Sequence, residues 1–343
     1  MTATTWRRSP GRSSLVRAYL PIAVTAAVLA LPPLRYHESR TLMGVLITGL
    51  VFACYTIAFN IIFGSTGQLF LCIGALAGVG GFASVILSDE VGIPMLLSMV
   101  LATALAALVG GLLSWVAVSR SLDVIFTGIV TLAFSLAFSS LLLGRRDLTG
   151  GESGLRVQAG SDTFLGDRVP PYYVFLFVVV AYLVIYRVLH RSHIGWAFRA
   201  LRDDEMAAEL SGVDVRWYRV EAGVIGSAML GFAGALYAHS EGFIGPSTYA
   251  FGRVDIRVIV MLAFGGIGSL LGPVVGAAVF TWLDEWLVSF IELRVLLYGA
   301  IIIVLFLGFR RGVVPTVQAA FRRLGSRRGG AATSGSTTQE RAP

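Results

Sequence analysis

The feature that most constrains this chain is a series of long apolar runs separated by short polar turns. Several runs extend for about 18–25 residues with few or no charges, and about 20 helical residues cross a hydrocarbon core about 30 Å thick. Backbone polar groups in lipid must be satisfied internally, so the runs indicate helices or a closed barrel. Because strict two-residue alternation is absent, the pattern favours helices.

The composition agrees with a membrane protein. Of 343 residues, 56% are hydrophobic and 14% are charged, which is too little polar surface for a soluble domain of this length. We therefore predict an all-α polytopic membrane protein with about ten transmembrane helices. The expected spans are 18–34, 42–63, 69–87, 93–118, 122–143, 172–189, 217–238, 253–265, 270–288 and 294–309. The eighth is short for a full crossing, so a re-entrant or broken helix is an alternative there.

The distribution of arginines predicts the orientation. With a cytoplasmic N-terminal segment 1–17, ten spans return the C-terminus to the cytoplasm, and most Arg-rich segments then lie inside. The loop 144–171, with four Arg residues, is the exception. We expect a multi-pass protein of the plasma (inner) membrane, with a transmembrane domain over 18–310. The polar tail 322–343 is expected to be disordered, with its Arg residues touching anionic membrane lipid.

The absence of lysine excludes several chemistries. All 27 basic residues are Arg, so the chain has no phosphate-binding loop of the GxxxxGK[ST] type and no Schiff-base lysine. If ATP drives this protein, a partner chain hydrolyses it. We expect no enzyme activity, no cofactor and no metal, since His190 and His193 lack a third ligand nearby. The net charge is +7, but the Arg residues cluster at the expected membrane ends of the apolar runs, so nucleic-acid binding is not expected.

Glycine is concentrated inside the apolar runs. Small residues four apart, such as Gly74 with Gly78 and Gly223 with Ser227, permit close helix packing in lipid. Helices that slide during a functional cycle would use the same pattern. The segment 265–273 is dense enough in Gly and Pro to break a helix. Such a break indicates either a transport path or a tight cytoplasmic turn.

The longest polar helical pattern lies between spans six and seven. It has an apolar side and a charged side, and Gly212 is a natural helix stop. Such a helix could lie on the membrane or dock into a groove of a partner protein. Its charges are mixed, which argues against simple lipid binding. The pattern resembles the cytoplasmic coupling helix of ATP-binding-cassette importer permeases, here at about 194–212. Ala207, Ala208 and Gly212 match that family's EAA-x3-G pattern, whereas its Glu falls on Met206, with Glu205 one position earlier.

The resemblance is closer to one branch, the permeases for branched-chain amino acids, and runs from about Gly64 to Leu287. It rests on the order and spacing of short motifs: Gly67-Gln68-Leu69, Thr149-Gly150-Gly151-Glu152-Ser153-Gly154-Leu155, Arg199 to Ala208, 231–238, Phe243-Ile244-Gly245-Pro246 and 265–273. The family usually continues its Gly-Gln motif with Ser and then Gly-His. This chain has Phe70, Cys72 and Ile73 instead, at positions that would face a substrate path.

The resemblance implies a permease subunit that moves a small solute by alternating access, driven by a separate ATPase. Branched-chain or related amino acids are the implied solutes. The implied partners are ABC ATPase subunits with their ATP, a second homologous permease subunit and an extracytoplasmic solute-binding protein. The residues expected at the ATPase contact are Arg199, Arg202, Asp203, Glu205, Ala207, Ala208 and Gly212. The candidates for the translocation path are Gly67, Gln68, Thr149, Gly150, Gly151, Gly265, Gly266 and Gly268.

Two other functions remain open from the sequence. An ion-coupled secondary transporter of a small solute would need ionisable groups near the midplane, and few are evident. A membrane scaffold or receptor without transport activity is the third class. Glu221, near the start of the seventh span, is either a functional membrane carboxylate or the partner of a neighbouring Arg.

Overall fold

The computed structural model describes residues 12–33, 39–157 and 169–288, together with 296–297, 299–300, 302–303, 307 and 312–316. The described chain is helical with one very small sheet. In chain order the longer elements are α1 Arg12–Ala30, α2 Arg40–Thr66, α3 Ile73–Asp89, α4 Met95–Ser119, α5 Val124–Gly144, α6 Arg146–Thr149, β1 Leu155–Arg156, α7 Val169–Arg191, α8 His193–Asp203, α9 Glu205–Leu210, α10 Val215–Glu241, β2 Phe243–Ile244, α11 Phe251–Gly265 and α12 Gly272–Leu287. Short 3₁₀ turns cover Gly151–Ser153 and Pro246–Tyr249.

Among the described residues, five helices are long and apolar enough to cross a membrane: α2, α4, α5, α7 and α10. The other predicted spans correspond to α1, α3, α11 and α12, each within a few residues at most ends. The tenth, 294–309, lies mostly outside the described residues, as do residues 1–11 and the tail 322–343. The fold class is therefore all-α, and the number of crossings stays a prediction.

Helix ends follow local chemistry. The C-terminus of α2 is Thr66 because Gly67 takes a left-handed φ of 72° and its N–H bonds to the Phe63 carbonyl. The preceding loop residue Pro94 sets the start of α4. The Asp214 carboxylate accepts a hydrogen bond from the Trp217 N–H and caps α10.

The helix α11 is shorter than a full crossing. Its 15 residues span about 22 Å, less than a hydrocarbon core of about 30 Å. It follows the 3₁₀ turn Pro246–Tyr249 and ends where Gly266 takes a φ of 116°. The following turn leads into α12, which carries Pro273 in its first turn. The structure thus places the Gly-Pro segment 265–273 at a helix–turn–helix junction.

The core is built around α10, which packs against α2, α3 and α4. Backbone contact between α3 and α10 is very close. A Cβ atom on Gly80 would lie 2.0 Å from the Gly231 oxygen, and one on Gly234 would lie 2.0 Å from the Ala77 oxygen. The small residues of the third and seventh spans therefore serve helix packing.

The sheet consists of two residues from each strand, paired antiparallel with Leu155 opposite Ile244. Two-residue strands have no detectable alternation, so the sequence pattern did not predict them. The sheet joins the segment after α5 to the C-terminal end of α10. It defines one end of the bundle, which we call the β1–β2 end, and α8 and α9 define the other, the α8–α9 end.

Candidate coupling and translocation site

The segment 194–212, predicted as one coupling helix, is two helices in the structure. Asp204 separates α8 from α9 because its backbone is extended, with φ −161° and ψ 113°. Its carboxylate accepts a hydrogen bond from the Ala207 N–H at 3.0 Å and so caps α9. The competition of a short Asp side chain with the helical backbone explains the break.

One face of this helix pair is packed against the membrane helices. Phe198 is 1% exposed and meets His190 of α7 and Tyr218 of α10 edge-on, with ring centroids 6.5 and 6.4 Å apart. The His190 ring in turn stacks on Tyr186, at 4.0 Å. Ala208 packs with the apolar residues at the start of α10. The pair is therefore held at the α8–α9 end by apolar contacts on two helices.

Arg202 ties α8 to the broken region of the bundle. Its Nη1 donates to the Gly64 carbonyl in the last turn of α2 at 3.1 Å, and its Nη2 donates to the Ile267 carbonyl at 3.4 Å. Gly268 lies directly beneath it, since a Cβ there would be 1.7 Å from Nη1. Arg202, predicted as an ATPase contact, bonds to the bundle through its guanidinium and is itself exposed, so its contact with an ATPase stays a prediction.

Two further side chains hold the turn between α11 and α12. The Asn60 amide of α2 accepts from the Gly268 N–H at 2.7 Å and donates to the Ser269 carbonyl at 3.0 Å. The Tyr186 hydroxyl of α7 donates to the Gly268 carbonyl at 2.9 Å. Side chains from three helices, α2, α7 and α8, therefore satisfy the irregular backbone of this turn.

Glu205 forms a two-pronged ion pair with Arg219 of α10. Each of the two nitrogen–oxygen distances is 2.8 Å, and the side chains are 47% and 19% exposed, respectively. Arg219 also lines a cavity of about 20 Å³ with Gln68 and Thr127. Glu205, which was predicted at the ATPase contact, is thus paired with Arg219 and still exposed; its contact with an ATPase stays a prediction.

Gln68 is buried beside that cavity. Its Oε1 accepts from the Ser114 hydroxyl of α4 at 2.7 Å, while its Nε2 has no partner among the described residues. Thus Gly67 and Gln68, two candidates for the path, lie next to Arg219 near the α8–α9 end.

The other face of α8 and α9 is open. Met206 is 69% and Leu210 is 85% exposed, and the acidic residues Asp203 and Glu209 lie beside them. Gly212 follows with a φ of +84°, and no atom lies within 4 Å of the place that a Cβ would take. Arg199 is also exposed, with its guanidinium 4.6 Å from the Trp196 ring centroid. We call this surface, Asp203, Met206, Ala207, Glu209 and Leu210, the outer face.

The predicted path residues are not brought together. Gly265 ends α11, and Gly266 and Gly268 belong to the turn beneath Arg202, whereas Thr149, Gly150 and Gly151 lie at the β1–β2 end. These ends are separated by α10, whose 27 residues span about 40 Å. The Thr149 hydroxyl bonds to the Leu142 and Arg145 carbonyls and so closes a turn.

The substituted positions after Gln68 do not line an open path in this conformation. Phe70, Cys72 and Ile73 are each fully buried. Their neighbour Asp255, which was not among the predicted site residues, is also fully buried and accepts from the Ile73 and Gly74 N–H groups at 2.5 and 3.2 Å. This carboxylate caps α3 where the chain is irregular. The signal that could have identified Asp255 is its carboxylate inside the predicted span 253–265.

The family model described as branched-chain amino acid transport system / permease component matches residues 41–306, most of the chain. The chain belongs to this family. The match includes α2 to α12, and with them the Arg202 contacts and the outer face of this permease.

Individual relatives are distant. The permease is 26% identical over 323 residues to the high-affinity branched-chain amino acid transport system permease protein LivM of Escherichia coli, covering 87% of this chain and 75% of LivM. It is 26% identical to the probable branched-chain amino acid transport permease protein LivH of Methanocaldococcus jannaschii, over 67% of this chain and 76% of LivH. It is 28% identical to the autoinducer 2 import system permease protein LsrC of an Enterobacter strain, over 80% of this chain and 79% of LsrC. No solved structure matches it.

Proposed function

We propose that this permease is the membrane-spanning subunit of an ATP-binding-cassette importer and that α8 and α9 couple it to a separate ATPase. The observation that carries the proposal is the two-sided character of this helix pair. Its inner face is fixed to three membrane helices through Phe198 and Arg202. Its outer face exposes Met206 and Leu210 between acidic residues. A surface of this kind suits docking into a groove of a partner protein.

In this proposal the ATPase moves α8 and α9, and Arg202 carries that movement into the bundle. Its guanidinium bonds at once to the end of α2 and to the turn between α11 and α12. The Glu205–Arg219 pair adds a link to α10. A shift of the helix pair would therefore change contacts on α2, on α10 and on the turn between α11 and α12. Such differential contacts are what alternating access requires.

The proposed partners are two ABC ATPase subunits, a second homologous permease subunit and an extracytoplasmic solute-binding protein. The α8–α9 end then lies in the cytoplasm together with both termini, and ten spans cross the plasma membrane. This placement also puts Arg199, Arg202, Arg216 and Arg219 on the cytoplasmic side, as the positive-inside rule favours. ATP binds and is hydrolysed on the partner.

The proposed solutes are branched-chain or related amino acids. The family description and the names of LivM and LivH support this class, while LsrC is named for autoinducer 2 import. The irregular backbone at Gly265–Gly268 and the neighbouring Gly67 and Gln68 are proposed to border the path near its cytoplasmic exit. Thr149–Gly151, at the β1–β2 end, is proposed to border its entrance.

The test is gentle purification of the full-length tagged chain from its native membrane, identification of co-purifying chains by mass spectrometry, and uptake of radiolabelled L-leucine in reconstituted vesicles. Recovery of an ATPase with a Walker A sequence, together with ATP-dependent uptake, is the expected result. A Leu210→Asp variant should lose the ATPase, whereas Leu148→Asp, at an exposed leucine near the β1–β2 end, should retain it. Uptake that survives ATP depletion but collapses with an ionophore would identify an ion-coupled transporter instead.

A further inference from the structure

A cavity of about 200 Å³ lies between α2, α10 and α11, far from the outer face. It is lined by Thr48, Val51, Phe52, Tyr55, Tyr237, Thr248, Arg253, Val254 and Arg257. Its wall on α10, Tyr237, is in the last turns of a helix that ends at Glu241, so the cavity is nearer the β1–β2 end. In the proposed orientation that end faces the compartment from which solute arrives.

The hydroxyl of Tyr55 is the group that points to a ligand. Tyr55 is 3% exposed, and its oxygen is buried with no hydrogen-bond partner among the described residues. A buried hydroxyl without a hydrogen-bond partner destabilises the folded state, so such groups in native proteins are rare and call for an explanation. A ligand oxygen in the cavity would accept this hydrogen bond.

The charge of the cavity selects the kind of ligand. Arg253 and Arg257 are four residues apart on α11 and therefore share a helix face. Arg257 pairs with Asp284 of α12 at 3.0 Å through one nitrogen, Nη1, and its guanidinium has five N–H donors in all. Glu241, four residues after Tyr237 on α10, is the nearby acidic residue on that helix. Arginine within a membrane domain usually marks a substrate or ion pathway.

The remaining wall is apolar. Val51, Phe52 and Val254 line the same space, with the Arg257 guanidinium 5.9 Å from the Phe52 ring centroid. The volume is below the roughly 300 Å³ at which pockets for drug-sized ligands begin. The site therefore suits a small molecule with an anionic group at one end and an aliphatic portion at the other.

We propose that this cavity binds the carboxylate of the transported solute, with the Tyr55 hydroxyl and the Arg257 guanidinium as donors and the apolar wall against the aliphatic part. This rests on the proposed function, because it assigns a substrate subsite to the same permease. It names the substrate class as small aliphatic carboxylates, including amino acids. The subsite is an entry site that the solute occupies before it reaches the region beneath Arg202.

The test is equilibrium binding of radiolabelled L-leucine to the full-length permease with its co-purifying subunits in phosphatidylcholine nanodiscs, without the solute-binding protein. L-Leucinamide, which replaces the carboxylate by a neutral amide, serves as competitor. We expect leucinamide to compete at least tenfold less well than unlabelled leucine. Tyr55→Phe should weaken leucine binding about tenfold, since it removes one hydrogen bond to a charged group.

Matched variants keep the test specific. Tyr173→Phe removes the hydroxyl of an exposed tyrosine on α7 and should leave binding unchanged. Arg257→Gln is combined with Asp284→Asn, so that the carboxylate is not left without its arginine, and the double variant should bind leucine at least tenfold more weakly. Thermal unfolding of each variant in the same nanodiscs verifies that the fold is retained.

Each outcome decides the proposal. Equal binding by wild type and Tyr55→Phe, equal competition by leucinamide, or no leucine binding by the wild type overturns the cavity assignment. An effect of Tyr55→Phe that appears only when anionic phospholipid is added assigns the cavity to a lipid headgroup and also overturns it. ATP-dependent uptake with normal leucine kinetics in Tyr55→Phe would reject the cavity and leave the proposed function standing. If no ATPase co-purifies with the wild-type permease, the proposed function is rejected. The leucine-binding measurement still tests the cavity in that case.

Discussion

Arg202 of α8 donates a hydrogen bond to the backbone carbonyl of Gly64 in α2, at 3.1 Å, across 138 residues of sequence. The same guanidinium reaches the Ile267 carbonyl at 3.4 Å. A planar fork of donors can serve two carbonyls at once, whereas an ammonium group is a point charge. Arginine suits this position because one guanidinium reaches both carbonyls, which a positive charge alone would not achieve.

We expect Arg202→Lys to separate assembly from transport. The charge remains, but the planar guanidinium that reaches the Gly64 and Ile267 carbonyls together is lost. ATP-dependent leucine uptake should fall at least tenfold while the ATPase still co-purifies. Arg120→Lys, in the exposed turn after α4, is the matched control and should behave as wild type. Normal uptake in Arg202→Lys would contradict the role of this contact.

The Glu205–Arg219 pair allows a charge-swap experiment. Glu205→Arg places two guanidiniums together where the present distances are 2.8 Å, so it should abolish uptake and leave membrane insertion intact. The double variant Glu205→Arg, Arg219→Glu restores opposite charges and should recover part of the uptake. If the double variant is as inactive as the single one, the carboxylate of Glu205 acts on the partner ATPase and the ion pair is incidental.

The turn beneath Arg202 should tolerate no side chain at Gly268. Its φ is +73°, and an added Cβ would lie 1.7 Å from the Arg202 nitrogen. Gly268→Ala should therefore lower both thermal stability and uptake, with roughly 1–2 kcal/mol coming from the left-handed backbone alone. Gly252→Ala, where nothing lies within 4 Å of the added Cβ and φ is unremarkable, provides the comparison. Equal unfolding temperatures for the two variants would argue against a tight turn.

Gly212 ends the outer face in a conformation that proline cannot adopt. Its φ is +84°, whereas the proline ring fixes φ near −65°. Gly212→Pro should displace α9 and abolish uptake without preventing insertion. Gly212→Asn should retain most activity, because Asn is among the residues that tolerate the left-handed region. Uptake assays on both variants at matched membrane levels distinguish a conformational requirement from a need for glycine itself.

Asp255 should behave as a structural anchor. Its two oxygens accept from the Ile73 and Gly74 N–H groups. Asp255→Asn removes one acceptor and the charge that favours the N-terminus of α3, and we expect the permease to lose about 1–3 kcal/mol of stability. Asp123→Asn, at an exposed Asp whose side chain makes no capping bond, should have little effect. Unfolding temperatures in detergent provide the measurement, and equal values would contradict the anchor.

Much of the fold was predictable because membrane helices are a local property of the chain. The apolar runs that contain Phe59, Leu112 and Leu183 predicted α2, α4 and α7 within a few residues. The break at Asp204 was not predicted. The break depends on Asp204 acting as the N-cap of α9 rather than as an interior residue of one long helix. Hydrophobic periodicity does not detect such a cap.

The site was only partly predictable for a different reason. Sequence marked the polar helical segment and the Gly-Pro segment 265–273, but not that Arg202 would join them, since that contact depends on how α8 docks. Likewise, Tyr55 and Arg257 are 202 residues apart and meet in one cavity only through the packing of α2 and α11. Contacts between distant segments leave no periodic trace in one sequence.

The close packing of α3, α4 and α10 limits how this permease can move. Gly80 and Gly231 bring two backbones into contact, and a Cβ on Gly231 would lie 2.3 Å from the Ala106 methyl of α4. Helices interlocked at this distance cannot rotate or slide past each other without first separating. We therefore expect the three helices to move as one rigid unit in the proposed transport cycle. The α8–α9 pair, the turn before α12 and the short helix α11 would then make the movements.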